Sequence, residues 1–233
     1  HLALSSVTGN PDFEPEPFTL LYQRSVFQTM KNSLNTSMRM LEKSMVQLEG
    51  KTRSEAQYAL SMKPKIEAIL KRFTERKINA MRTRIHGDLH LGQALFSGND
   101  FTIIDFEGEP ARPLSSRRLK RSPLRDTAGM MRSFHYAAHA ALIKHPSVRP
   151  EDREFLEPWA ETWYEYVSGK FLEAYLDAVK GACFIPEKEE DLRMMLDVFI
   201  ADKAIYELGY EANNRPGWLA IPVKGLKNIL GIK

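Results

Sequence analysis

The chain is short of several things, and each shortage excludes something. It has one cysteine, Cys183, in 233 residues. No disulfide can form within it, which fits a reducing cytoplasm. No apolar run approaches the roughly 18 residues that a membrane-crossing helix needs. The opening "HLALSSVTGN" is too short and too uncharged for a secretory signal. Net charge is only +3, which gives no reason to expect nucleic acid. Glycine is scarce at the start: the first 83 residues hold only Gly9 and Gly50. A glycine-rich phosphate loop is therefore excluded there. The first residue is His1 rather than methionine, as expected of an excised fragment or of a trimmed clone.

What is present reads as a soluble globular chain. Apolar residues make up 43% and charged residues 27%. The length suits one large domain or two small ones, with a real core. "HLALSS" reads as the tail of a helix and "VTGNPDFEPEPF" as a proline-rich loop. Phe27, Met30, Leu34, Met38, Leu41, Met45 and Leu48 then recur at spacings of three and four, giving one apolar stripe of a long helix that Gly50 is expected to stop. A shorter helix covers Ser54 to Met62. Pro64 starts another, with Ile66, Ile69, Leu70 and Phe73 inward. Only the centre reads as β: "TRIH" as a short strand, then "QALF", "SGND" and "FTIID" as strand, turn and a buried strand. Helices return at about Leu124 to Lys144, Glu151 to Lys180 and Glu187 to Asn214, with a short one near Pro222. Asp126 falls in the first turn of the first of these, where a carboxylate suits the helix dipole.

The chemistry concentrates in the β element. Asp88 follows Gly87 in a tight loop. Gln93 lies at the start of the next strand, and Asp105 ends the hairpin. A hairpin brings the chain back to its origin, so the three oxygen-bearing side chains are expected to converge at one end. Hard oxygen ligands with few histidines suit Mg²⁺ shared with substrate phosphates.

"HGDLHLGQ" followed by "IIDFEGEP" resembles the catalytic and metal-binding loops of the aminoglycoside-phosphotransferase-like kinases. The resemblance implies that Asp88 accepts the substrate hydroxyl proton, that Gln93 (an asparagine in the related pattern) binds metal, and that Asp105 bridges metal and phosphates. His86 would anchor the loop beside the substrate, and His90 would be structural. "DFEGEPARPL", "RSPLRDTAGMMRSF" and "YEANNRPGW" with the following "IP" extend the likeness to maltokinases, from Arg84 onward and more loosely before it. That implies ATP-dependent phosphorylation of maltose, with Glu107 a second metal ligand and, in some members, fusion to a trehalose synthase domain.

The implied fold is mainly α with a small β hairpin, a kinase-like C-terminal lobe over residues 1–233. Residues 1–83 would be its helical opening, 84–123 the catalytic and metal loops, and 124–233 the helical substrate side. The upstream pattern is helical throughout, so the nucleotide-binding lobe with its β-sheet and lysine is expected outside this chain. Two alternatives stand beside this reading. One is a kinase of the same architecture acting on another small hydroxyl substrate. The other is a non-catalytic carbohydrate-binding or interaction domain of a fused trehalose synthase.

Three further signals stay open. Tyr206 and Tyr210 are four apart on one helix face, with Glu207, Glu211 and Arg215 nearby. Pattern alone favours a satisfied core, but the maltokinase resemblance implies sugar contact, with Tyr206 and Tyr210 stacking on sugar rings and Glu207, Glu211 and Arg215 able to bond hydroxyls. Trp159, Trp163, Tyr164 and Tyr166 read mostly as packing. The basic segment with Arg112, Arg117, Arg118, Lys120, Arg121 and Arg125 holds no interleaved aromatics for nucleic acid. It suits phosphate, acids of another lobe, or a solvated loop.

Overall fold

The computed structural model describes residues 1–110 and 113–232. Arg112, one of the basic residues singled out above, lies outside them. The elements run α1 (Leu2–Ser5), β1 (Glu16–Pro17), α2 (Leu20–Ser44), α3 (Gly50–Ser61), α4 (Lys63–Arg72), β2 (Met81–Arg82), β3 (Ala94–Phe96), β4 (Phe101–Ile103), α5 (Leu114–Arg117), α6 (Leu124–Lys144), α7 (Arg153–Ala178), α8 (Glu189–Asn214) and α9 (Ala220–Ile229).

Helix α8 is the centre. Fourteen of its residues are buried, from Asp191 to Ala212. It packs on α2, α4, α6 and α9, while α7 lies on α6. A helix covered on several sides needs apolar residues around most of its circumference, and "MMLDVFIADKAIYELGYEA" supplies them. The partner face of α2 keeps the centre of the expected stripe, with Met30, Leu34, Met38 and Leu41 buried against it; Val26 rather than Phe27 is buried at its start, and Met45 and Leu48 lie past the helix end. Thr19 caps α2, its hydroxyl accepting the Tyr22 N–H.

Several expectations shift. Helix α2 ends at Ser44, and Gly50 (φ +51°) opens α3 instead of stopping α2. The strand placed at "TRIH" sits earlier, as β2, which pairs antiparallel with β1 inside the proline-rich loop through Glu16↔Arg82 and Pro17↔Met81. Thr83 makes a further bridge to Arg121. The β3–β4 hairpin forms in the register Ala94↔Ile103, Leu95↔Thr102, Phe96↔Phe101. Strand β4, expected to be buried, is exposed throughout. The hairpin stands off the helices, and Phe96 and Phe101 pack chiefly on each other, with ring centroids 5.2 Å apart. Among the described residues no helix is long and apolar enough to cross a membrane.

Candidate active site

The loop from Ile85 to His90 is seated on the N-terminal turns of α6. Asp126, in the first turn of that helix, accepts the His86 N–H at 2.7 Å and the Gly87 N–H at 2.9 Å, one on each carboxylate oxygen. The His1 ring also approaches, 3.2 Å from Oδ2. Burial pushes the Asp126 carboxyl above its ordinary range, and the two amide hydrogen bonds pull against that. Asp126 is thus more than a helix-dipole residue: it clamps the loop. The seat is tight, because a β-carbon on Gly129 would lie 2.7 Å from the Leu89 carbonyl oxygen.

His86 joins two loops. The Asp88 N–H donates to its Nδ1 at 3.3 Å, and its Nε2 lies 2.7 Å from the Ile104 carbonyl oxygen. Only one tautomer satisfies both bonds, with the proton on Nε2. The ring also packs on Phe106, centroids 4.9 Å apart. Gly87 (φ +89°) and Gly108 (φ +77°) bring the same two loops back to back: a β-carbon on Gly87 would sit 3.2 Å from the Gly108 Cα. The expected anchoring role of His86 agrees with this geometry. His86 is buried and faces the second loop, so it offers nothing to a substrate. His90 is structural as expected, accepting the Gly92 N–H.

Gln93 and Asp105 meet. Hairpin pairing continues past the strands, with the Ile104 N–H on the Gln93 carbonyl. Asp105 then turns at φ +66°, the only non-glycine residue with positive φ among those described. Its Oδ2 accepts the Gln93 side-chain N–H at 2.8 Å. Glu107 differs from expectation. It is drawn to Arg117, whose guanidinium lies 3.7 Å from its carboxylate and bonds its carbonyl. The residue types at Gln93 and Asp105 fit Mg²⁺: an amide and a carboxylate, both offering hard oxygens, with Asp105 exposed and Gln93 half-buried; the amide N–H now faces Asp105, so a rotation of the amide would present its oxygen.

The side chain of Asp88 faces elsewhere, so convergence at the hairpin end holds for Gln93 and Asp105, with Asp88 tied in through His86. Asp88 opens on a small cavity of about 80 Å³ whose lining includes Glu109, Arg125, Asp202, Lys203 and Tyr206. Lys203 Nζ is 3.5 Å from Asp88 Oδ1 and 5.3 Å from the Tyr206 ring centroid. Arg125 pairs with Asp202 at 3.0 Å. Next to it lies a wider hollow of about 400 Å³, sharing Ser33 and Tyr206 and lined also by Asn32, Thr36, Tyr210, Asn213 and Asn214. Both tyrosines therefore line the groove. Glu207 does not: one turn position away on α8, it is buried in an ion pair with Arg132, at 2.9 Å from Nε and 2.7 Å from Nη2. Glu211 is likewise buried and accepts from Arg215 and Tyr136.

Lys203 escaped the sequence reading, although Lys203, Tyr206 and Tyr210 follow an i, i+3, i+7 rhythm that puts all three on one face. The basic segment resolves into internal pairs. Lys120 is buried with Glu16 at 2.7 Å, Arg118 meets Asp12 at 3.4 Å, and Arg121 bonds the Ser116 hydroxyl at 3.1 Å. Tyr164, raised above as an aromatic of the α7 crowd, is half-buried and packs edge-on to His135.

No family model matches the chain. Curated relatives do, two of them glucosamine kinases. The glucosamine kinase of Streptacidiphilus jiangxiensis is 25% identical over 146 residues, which is 63% of this chain and 31% of the relative. The glucosamine kinase of Mycolicibacterium smegmatis is 28% identical over 151 residues, 62% of this chain and 34% of the relative. Among solved structures, a glucosamine kinase in complex with glucosamine, ADP and inorganic phosphate superposes with a TM-score of 0.70 at 19% identity, covering 94% of this chain and 50% of that one. A second crystal form of a glucosamine kinase gives 0.69 at 18% identity, covering 94% and 49%. The chain thus spans about a third of the relatives' matched sequences and about half of the solved chains. Over nearly its whole length, it is similar in fold to half of a glucosamine kinase.

Proposed function

We propose that the protein carrying this chain transfers the γ-phosphoryl group of ATP to a sugar hydroxyl, and that residues 1–233 are its C-terminal lobe. One observation carries the reading. His86 ties the backbone of Asp88, which opens on a polar, aromatic groove, to the loop that presents Gln93 and Asp105. Bound Mg²⁺ would supply charge neutralisation on the phosphates, held by Gln93 and Asp105. Asp88 would accept the proton of the acceptor hydroxyl. Lys203, 3.5 Å from Oδ1, would hold that carboxylate in place until a hydroxyl arrives. Tyr206 and Tyr210 would stack the sugar, with Asn213 and Asn214 within the same hollow for its hydroxyls.

A transferase of this kind also needs a phosphate-covering loop and a lysine on a β-sheet. The described residues hold neither, and the solved glucosamine kinases are about twice as long. The nucleotide lobe belongs, in this reading, to another part of the protein. The exposed apolar side chains of the hairpin, Leu95, Phe96, Phe101, Ile104 and Phe106, suit a face that lobe and nucleotide would cover. Without it, residues 1–233 should bind ATP poorly and turn nothing over. A cytoplasmic location, where ATP is abundant, goes with the reading.

Two acceptors have support from different observations. Glucosamine is favoured by the relatives, and by Glu109, a half-buried carboxylate in the Asp88 cavity suited to a sugar ammonium. Maltose is favoured by the maltokinase-like motifs and by the continuity of the two hollows through Tyr206, which gives a second ring somewhere to lie. A fused or associated trehalose synthase domain belongs to the maltose reading alone. The test is phosphate transfer by the intact protein across glucosamine, maltose and glucose. Asp88→Asn should lower kcat on the preferred sugar by on the order of 10²–10⁴. Glu109→Gln should raise KM for glucosamine and leave that for maltose alone. Transfer to no sugar, or full turnover in Asp88→Asn, would overturn the proposal.

A further inference from the structure

The side of α6 away from the loop seat carries a cluster that phosphoryl transfer does not use. His135 and His139 are four apart on α6 and therefore share a face. Glu161 reaches them from α7. Their potential ligand atoms all lie within 4.8 Å of one another. His139 Nε2 and Glu161 Oε2 are 3.1 Å apart. In a tetrahedral zinc site, with bonds of about 2.0–2.1 Å, neighbouring ligand atoms sit about 3.3 Å apart. Those two atoms are therefore already at the spacing a zinc ion requires, and a modest turn of the His135 ring supplies the third.

A second observation points to a ligand. His135 is fully buried, and neither ring nitrogen has a hydrogen-bond partner among the described residues. An unsatisfied buried donor or acceptor costs about 1–3 kcal/mol, so the fold holds this ring at a disadvantage that a bound ion would remove. Burial also drives the imidazole strongly toward its neutral form, the form that ligates. The surroundings are organised for it. Glu161 turns its other oxygen to the Asn228 side-chain N–H of α9, at 2.5 Å, which fixes the carboxylate. The two nearby cations have partners of their own: Arg132 is neutralised by Glu207, and Lys224 by Glu157. His139 also lines an open cleft of about 360 Å³ between α3, α6, α7 and α9, a route in for the ion and for a water as fourth ligand.

We infer that His135, His139 and Glu161 form a zinc-class metal site that cross-links α6 to α7, separate from the Mg²⁺ position at Gln93 and Asp105. The spacing along α6 from Gly129, at the loop seat, to His139 is about 15 Å, so the ion has no part in the transfer step. The test uses the intact protein, purified without a histidine tag, titrated with Zn²⁺ against a chromophoric chelator and separately with Co²⁺. Wild type should bind one more equivalent of Zn²⁺ than Glu161→Gln or His139→Gln, because each variant removes one of three protein ligands. Its Co²⁺ form should show the intense visible bands of a four-coordinate ion, and Zn²⁺ should raise its melting temperature. Glu161→Gln keeps hydrogen-bonding capacity toward His139 and Asn228, so it should fold. Equal stoichiometry in all three proteins, or only the weak bands of six-coordinate cobalt, would overturn the site and leave His135 a purely structural ring.

Discussion

The two loops of the candidate active site are held in opposite ways. The loop around Asp88 is fastened to its own domain: Asp126 takes two of its amides, Gly129 lets its backbone settle onto α6, and Ile85 and His86 are buried. The hairpin that ends in Asp105 is fastened only at its end, where Ile104 and Phe106 meet His86. Its strands are exposed and its aromatic rings meet each other. The contrast teaches a division of labour. On the proposed function, the acceptor side would be built by this chain's core, whereas the nucleotide side would be presented outward for phosphates, metal and a second lobe to complete.

The strongest way to break that contrast is at the clamp. Asp126→Ala strands two amide donors of the loop, the buried His86 N–H and the part-buried Gly87 N–H, and should cost about 2–3 kcal/mol in a denaturant titration. An unchanged midpoint would mean that the loop is not held by α6. Gly129→Ala forces the Leu89 carbonyl off the helix, and overpacking of this kind costs about 1–3 kcal/mol. A structure of this variant should find the Asp88 loop displaced and the hairpin register intact. On the outward side, Phe96→Ser with Phe101→Ser should change stability by about 0.5 kcal/mol or less, as for surface positions generally. A large loss would show that the hairpin packs on something in this chain after all. The smallest effect concerns acid. A hydrogen bond from Lys120 holds the Glu16 carboxyl below its ordinary range, with Arg82 assisting. A depressed acid contributes stability above its unfolded pKa and loses it as pH falls through the folded one. Glu16→Gln should therefore flatten the decline in melting temperature below about pH 4; an equally steep decline would assign it to other carboxylates.

The helical parts were legible because periodicity and burial report the same thing. The stripe of α2 and the limits of α6 read directly from spacing, and α8 begins two residues inside its expected start. The meeting of Gln93 with Asp105 was legible because a hairpin returns the chain to its start, whereas the different aim of Asp88 was not. What stayed hidden depends on pairings distant in sequence. Nothing local says that Glu207 meets Arg132, that Lys120 meets Glu16, or that Asp126 spends its carboxylate on amides forty residues upstream. The exposure of β4 was hidden for another reason. "TII" has the composition of a buried strand, and composition cannot tell whether the cover lies in the same chain.

Asp105 ends the hairpin at φ +66°, a conformation that glycine adopts freely and aspartate does not. Glycine there would relax the backbone, and its loss of one exposed hydrogen bond to Gln93 is small by comparison. Asp105→Gly should melt no lower than wild type and, on the proposed function, lose phosphoryl transfer altogether. A directed-evolution campaign screened on heat tolerance alone would collect that variant and discard the enzyme. Selecting on turnover at elevated temperature would keep the carboxylate and steer improvement toward the helices.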